Sequence, residues 1–170
     1  MENFLNNKVR IVALSIFLLA GLLFKSAVSA TEKSNMQQTV NEDEMLKAQH
    51  YENVVDSYLR GLNEKDLEGI LSLFADDATV EDPAGSNIVN GKEALRKFYS
   101  GAVTIDLSLT RTGSVRVAGM EAAFPFQLRM KVNGVAMKTE IIDLFRFNEA
   151  GKIISMRAFW GPSNQKVATE

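Results

Sequence analysis

One aspartate of this 170-residue chain stands in a run of hydrocarbon, and that setting is where chemistry is first suggested. From Val135 to Phe147 the alternate residues read Val, Met, Thr, Ile, Asp, Phe, Phe. In a strand, alternate side chains share a face, so Asp143 lies between Ile141 and Phe145 on an apolar one. Arg129 and Arg146 fall on the opposite faces of their strands, which leaves no cation to pair with it. A carboxyl so placed has a raised pKa, keeps its proton and can donate a hydrogen bond, because desolvation penalises the charged form. Asp82 gives a weaker hint of the same kind. Alternation puts it inward with Ala78 and Val80, while Thr79 and Glu81 face out and Pro83 ends the strand. Taken alone it is an ordinary turn residue. Tyr58, among Val54, Val55 and Leu62 on a helical stripe, is by itself a core tyrosine with a satisfied hydroxyl. Together the three supply what proton abstraction beside a ketone requires: a base for the carbon acid and two donors for the oxygen that becomes negative. That chemistry needs neither metal nor cofactor.

The elements that must position these groups can be read from periodicity. Asn41 is expected to cap a helix whose apolar residues Tyr51, Val54, Val55, Tyr58, Leu59 and Leu62 recur at three and four. Asp66 starts a second helix with Leu67, Ile70, Leu71 and Phe74 on one face, closed by Asp76-Asp77. A strand, Ala78 to Asp82, follows, and a third helix after Asn90-Gly91 buries Leu95, Phe98 and Tyr99. The remainder reads as strands around Gly113, then a strand with Phe124, Phe126, Leu128, Met130 and Val132 on its core face. Asn133-Gly134 is a strong hairpin signal and pairs Val132 with Val135, so Phe124 lies across from Asp143. A last strand, Lys152 to Trp160, follows a turn at 148–151; pairing Phe147 with Lys152 sets Asp143 opposite Met156. The order ααβαββββ predicts an α+β cone: a curved antiparallel sheet with three helices on one face and a pocket at its mouth.

Composition narrows the function classes. The chain has no cysteine, hence no disulfide or thiolate nucleophile, and His50 is its single histidine. Zinc chemistry and a Ser-His-Asp arrangement both lack ligands or partners. Residues 1–30 read as an export signal: Lys8 and Arg10, an apolar stretch Ile11 to Phe24, then small residues up to Ala30, where cleavage is expected. Fourteen helical residues span about 21 Å, short of a hydrocarbon core of about 30 Å, so no stable membrane anchor is expected. The product would be exported, periplasmic or secreted. Net charge is −2, and losing Glu2, Lys8, Arg10 and Lys25 with the signal makes it −4, which favours neither nucleic acid nor an anionic membrane. Residues 31–41 are polar and aperiodic and read as a flexible leader. One domain, 42–162, and a tail, 163–170, complete the chain.

Phe74-Ala-Asp-Asp-Ala-Thr-Val-Glu-Asp-Pro83, Asn90-Gly91-Lys92-Glu93, Phe98-Tyr99, Ile141-Ile142-Asp143 and Ala158-Phe159-Trp160 together carry a resemblance. Over residues 51–162 the chain resembles the bacterial steroid Δ5-isomerases, the ketosteroid isomerases of the NTF2-like, SnoaL-like superfamily. The Ala-Asp-Asp-Ala motif marks the superfamily; the Glu-Asp-Pro, Ile-Ile-Asp and terminal tryptophan are more specific. The resemblance implies that Asp82 is the general base, Tyr58 the oxyanion tyrosine and Asp143 the protonated oxyanion acid. It implies further that Tyr99 hydrogen-bonds Tyr58 from behind and that Trp160 lines the substrate slot. Phe124, Phe126, Met156 and Phe74 are the other candidates for that lining. Phe74 stands where some members have a third tyrosine of the network. The implied substrate is an apolar ketone such as a 3-oxo-Δ5 steroid, the implied cofactor none, and the implied assembly a homodimer through the outer sheet face.

Two other classes stay open. A polyketide cyclase of the same superfamily also uses an aspartate for enolate chemistry, and a non-catalytic module could keep the pocket to bind a small ligand. Epoxide hydrolysis would call for an arginine between two inward aspartates, and the alternation offers none.

Overall fold

The computed structural model describes residues 36–39 and 41–168. The expected export signal lies outside these residues. The chain divides into two units, one ending at Leu46 and one running from Lys47. In the first, residues 36–39 and 41–46 are helical, so the stretch read as an aperiodic leader carries helix and Asn41 does not begin it. Side-chain bonds four residues apart, Gln37 to Asn41 and Gln38 to Glu42, accompany that helix.

The second unit opens with helix α1 (47–64) and the short α2 (Leu67–Ser72). The apolar stripe of α1 is buried as the spacing requires, with Tyr51, Val55, Tyr58 and Leu62 all in the core. Asp66 caps α2 by accepting from the Gly69 N–H at 2.9 Å. The two helices approach closely at Gly61, where an added Cβ would sit 2.8 Å from Ile70. Asp76 and Asp77 do not close α2. It ends at Ser72, and strand β1 runs from Phe74 to Glu81. Phe74 fits a helical stripe as well as a buried strand position; the Ile153 N–H, which bonds the Leu73 carbonyl at 2.9 Å, draws the backbone into the sheet.

Then come β2 (Val89–Asn90), α3 (Lys92–Ala102), β3 (Leu107–Arg111), β4 (Arg116–Ala118), β5 (Glu121–Val132), β6 (Val135–Phe147), β7 (Ile153–Phe159) and β8 (Gln165–Val167). The sheet order is β2-β1-β7-β6-β5-β3, with β4 also on β5 and β8 also on β6. It is mixed rather than antiparallel throughout, since β1 runs parallel to β7. Each long central strand carries a broken strand along its outer edge: β3 then β4 beside β5, and β7 then β8 beside β6. Part of the expected tail is thus ordered as β8. The sheet is curved and does not close into a barrel.

The β5–β6 hairpin has the register its turn dictates, from Val132↔Val135 through Phe124↔Asp143 to Glu121↔Arg146. Asn133 and Gly134 both have positive φ, 50° and 83°, as a two-residue turn matched to strand twist demands. The β6–β7 register differs from expectation. Asn148 rather than Phe147 closes the turn, through its backbone and side-chain bonds to Lys152, and a further one-residue shift follows between Phe147 and Arg146. Asp143 therefore pairs with Ala158, not Met156. A displacement of two residues keeps the face, which is why Asp143 still points inward. Phe145, Phe147 and Phe124 fill the core around it, each worth about 1.5–3 kcal/mol of transfer free energy.

Candidate active site

β6 delivers Asp143 to the concave face of the sheet, α1 holds Tyr58 over it, α3 adds Tyr99, and the bend after β1 brings Asp82. All four line one cavity of about 300 Å³. Its body is hydrocarbon, including Phe98 and Ala102 of α3, Leu109 of β3, and Phe126, Ile141 and Met156 of the sheet. No lysine, arginine or histidine lines it. A few polar groups thus share an otherwise apolar container, an arrangement suited to a substrate with one oxygen to be polarised and a carbon skeleton to be desolvated.

Asp143 is fully buried, and neither carboxylate oxygen has a hydrogen-bond partner. Arg129 and Arg146 are exposed on the other side of the sheet. Burial pushes its carboxyl well above the ordinary aspartate range, and the charge of Asp82 adds to the rise. An unpartnered buried polar group costs about 1–3 kcal/mol; here it faces the space where a ligand atom would complete it.

Tyr58 is buried, its hydroxyl 3.5 Å from that of Tyr99, a long contact in which Tyr99 donates. Burial raises the Tyr58 hydroxyl pKa well above its usual value, and Tyr99 and Asp143 raise it further; burial raises Tyr99 too. Both phenols are therefore neutral donors at ordinary pH.

Asp82 differs from Asp143 in having a partner. The Trp160 indole N–H donates to its Oδ1 at 2.6 Å. Burial raises its carboxyl above the usual range while this bond pulls it back. One aspartate is thus held by a donor and only partly buried; the other is dry and unpaired. Environments that split two like groups in this way leave Asp82 the more readily ionised of the two and Asp143 the one that keeps its proton.

The remaining sequence candidates divide. Phe126 and Met156 line the cavity. Phe124 does not: fully buried across from Asp143, it packs edge-on against Phe145 behind the site. Phe74 also lies behind, its ring 6.4 Å from Tyr58 and 5.5 Å from Tyr99. Trp160 is not among the lining residues; its contact is with Asp82. Sequence reasoning missed as lining Leu107, Leu109, Leu128 and Met130. Their strand alternation would have found them, since they share the inward face with Phe126.

The SnoaL-like domain model matches residues 55–156, so the chain belongs to the SnoaL-like family, of NTF2-like fold. Within that family it is 38% identical over 98 residues to the steroid Δ-isomerase of Nocardioides simplex, covering 58% of this chain and 79% of that one. It is 30% identical over 110 residues to the epoxide hydrolase LasB of Streptomyces lasalocidi, covering 61% of this chain and 39% of LasB. Among solved structures it is similar to SalBIII, an epoxide hydrolase/cyclase-like enzyme of pyran ring formation in the polyether salinomycin, with TM-score 0.67 and 30% identity over 71% of this chain and 98% of that one. These relatives are enzymes of one family.

Proposed function

We propose that this protein is a cofactor-independent isomerase that moves a carbon–carbon double bond in an apolar ketone, of which a 3-oxo-Δ5 steroid is the model. The observation that carries the reading is the unpartnered, fully buried Asp143 lining, with Tyr58 and Asp82, an otherwise apolar cavity. The substrate carbonyl oxygen accepts from Tyr58 and from protonated Asp143. Ionised Asp82 removes a proton from the adjacent carbon, the C–H electron pair passes into the conjugated system, and a dienolate forms. Asp82 then returns the same proton farther along, so the product is an isomer. The 38% identity to a steroid Δ-isomerase supports the choice of substrate class.

A second reading is favoured by the similarity to LasB and SalBIII. In it Asp82 activates an oxygen nucleophile while Asp143 and Tyr58 protonate an epoxide oxygen. The test is an ultraviolet assay of purified protein with 5-androstenedione. The proposal expects a conjugated enone to appear with wild type and not with Asp82→Asn; no difference between them, alongside turnover of an apolar epoxy alcohol, would select the second reading.

Export through residues 1–30 and pairing of two copies through the outer sheet face, where Ile142 and Phe159 are exposed, belong to the same proposal. Cell fractionation and light scattering test them.

A further inference from the structure

Asp82 sits in a bend, and a bend is a poor place for a base whose reach must be right to within about an ångström. The structure closes that bend from behind. The Glu81 carboxylate, on the face away from the cavity, accepts from the Gly85 N–H at 2.6 Å with one oxygen and from Arg157 Nε at 2.7 Å with the other. Glu81 and Arg157 are also the last register pair between β1 and β7. Beyond Asp82 the strand contact resumes, with the Ala84 N–H on the Ala158 carbonyl at 2.7 Å. Arg157 is itself held, its guanidinium 5.1 Å from the centre of the Phe159 ring. Gly85 has φ of +94°, a conformation that favours glycine, and that turns its N–H back toward Glu81. Neither Glu81 nor Arg157 lines the cavity.

We infer that Glu81 is a positioning residue: with Arg157 it staples residues 81–85 into a closed loop, which sets where the Asp82 carboxylate stands relative to the substrate carbon. The inference rests on the proposed proton-transfer reading for its kinetic consequence, but not for the geometric one. Trp160, just past the end of the strand that carries Arg157, also meets Asp82, so the carboxylate is fixed between an indole that orients it and a staple that anchors its backbone. The Gly85 bond and the Arg157 pair hold the Glu81 carboxyl below its usual range, so it is ionised throughout the working pH of an aspartate base.

The single tryptophan makes the test independent of turnover. Because Trp160 donates to Asp82, its fluorescence should titrate with that carboxyl in the full-length protein. The groups facing Asp82 across the cavity are Asp143, Tyr58 and Tyr99, and those behind it are Glu81 and Arg157; Asp82→Asn identifies which inflection is Asp82. Wild type should show an inflection above the ordinary aspartate range that Asp82→Asn abolishes. Glu81→Ala should move it down toward that range, because a loosened bend exposes the carboxylate, and should lower kcat by about 10- to 100-fold with KM nearly unchanged. Glu81→Gln, whose carbonyl still accepts from Gly85, should recover most of both. Glu81→Ala with the wild-type inflection and kcat overturns the inference, even if its melting temperature falls. Wild type with the Asp82 inflection but no turnover on the ketone would overturn the proposed function and leave the positioning role to be judged on the Glu81→Ala inflection alone.

Discussion

Replacing Asp143 by leucine should make this protein more stable while inactivating it. The side chain is fully buried with both oxygens unpartnered, so leucine removes a polar group whose burial costs about 1–3 kcal/mol. Its extra volume enters the adjoining cavity rather than packed core. A second contribution depends on pH. An unfolded aspartate loses its proton near pH 4, whereas burial holds the folded carboxyl protonated well beyond that point. A raised folded pKa gives stability that is fully present below the unfolded value and is lost as pH climbs to the folded one. Each pH unit within that window costs the wild type about 1.4 kcal/mol, so the advantage of leucine widens as pH climbs through it. Asp82 shifts in the same direction but is present in both chains, so it largely cancels from the difference. For a domain of this size 1 kcal/mol is about 3–5 °C of Tm. Calorimetry at pH 5 and pH 7 should therefore find Asp143→Leu melting higher at both, with the wider gap at pH 7. A leucine variant no more stable than wild type, or a gap that ignores pH, would refute the claim that Asp143 is a dry, unpaired acid.

Further outcomes follow from the same geometry. Asp82→Asn should lower kcat by about 10²- to 10⁴-fold, read by the rate of enone formation. Asp143→Asn, which can still donate, should retain more activity than Asp143→Leu, for which the loss of one oxyanion donor is about 10²- to 10³-fold. Tyr99→Phe should cost less than Tyr58→Phe, because the Tyr99 hydroxyl is engaged in a 3.5 Å contact with Tyr58; equal losses in kcat would contradict that order. The profile of kcat/KM against pH should rise on the acid side as Asp82 ionises, above the ordinary aspartate range, and fall on the alkaline side as Asp143 loses its proton.

What was legible in the sequence was whatever depended on local pattern. The stripe of α1 and the Asp66 cap are written in spacing and residue type. The Asn133-Gly134 turn fixed the β5–β6 register over its whole length, and with it the Phe124↔Asp143 pair. Where register depended on a longer turn and a one-residue shift, at Asn148 and Phe147, counting failed by two residues, and parity rescued the face but not the partner. The parallel β1–β7 pair left no local trace, since strand direction is set by chain topology. That pair is also what brings Trp160 onto Asp82, a hydrogen bond that spacing along the chain does not reveal. Alternation also does not separate Phe126, in the cavity wall, from Phe74 and Phe124 behind it, since an inward side chain can fill the floor of a cavity as well as its wall.

The central claim is that the residue 143 carboxyl is neutral inside the folded protein and available to a substrate oxygen. Infrared difference spectroscopy of wild type against Asp143→Asn at neutral pH tests it most directly. The account predicts a protonated carboxylic acid C=O band that vanishes in the variant and shifts when equilenin, a planar phenol resembling a dienolate, occupies the cavity. A difference spectrum holding only ionised carboxylate bands would contradict it.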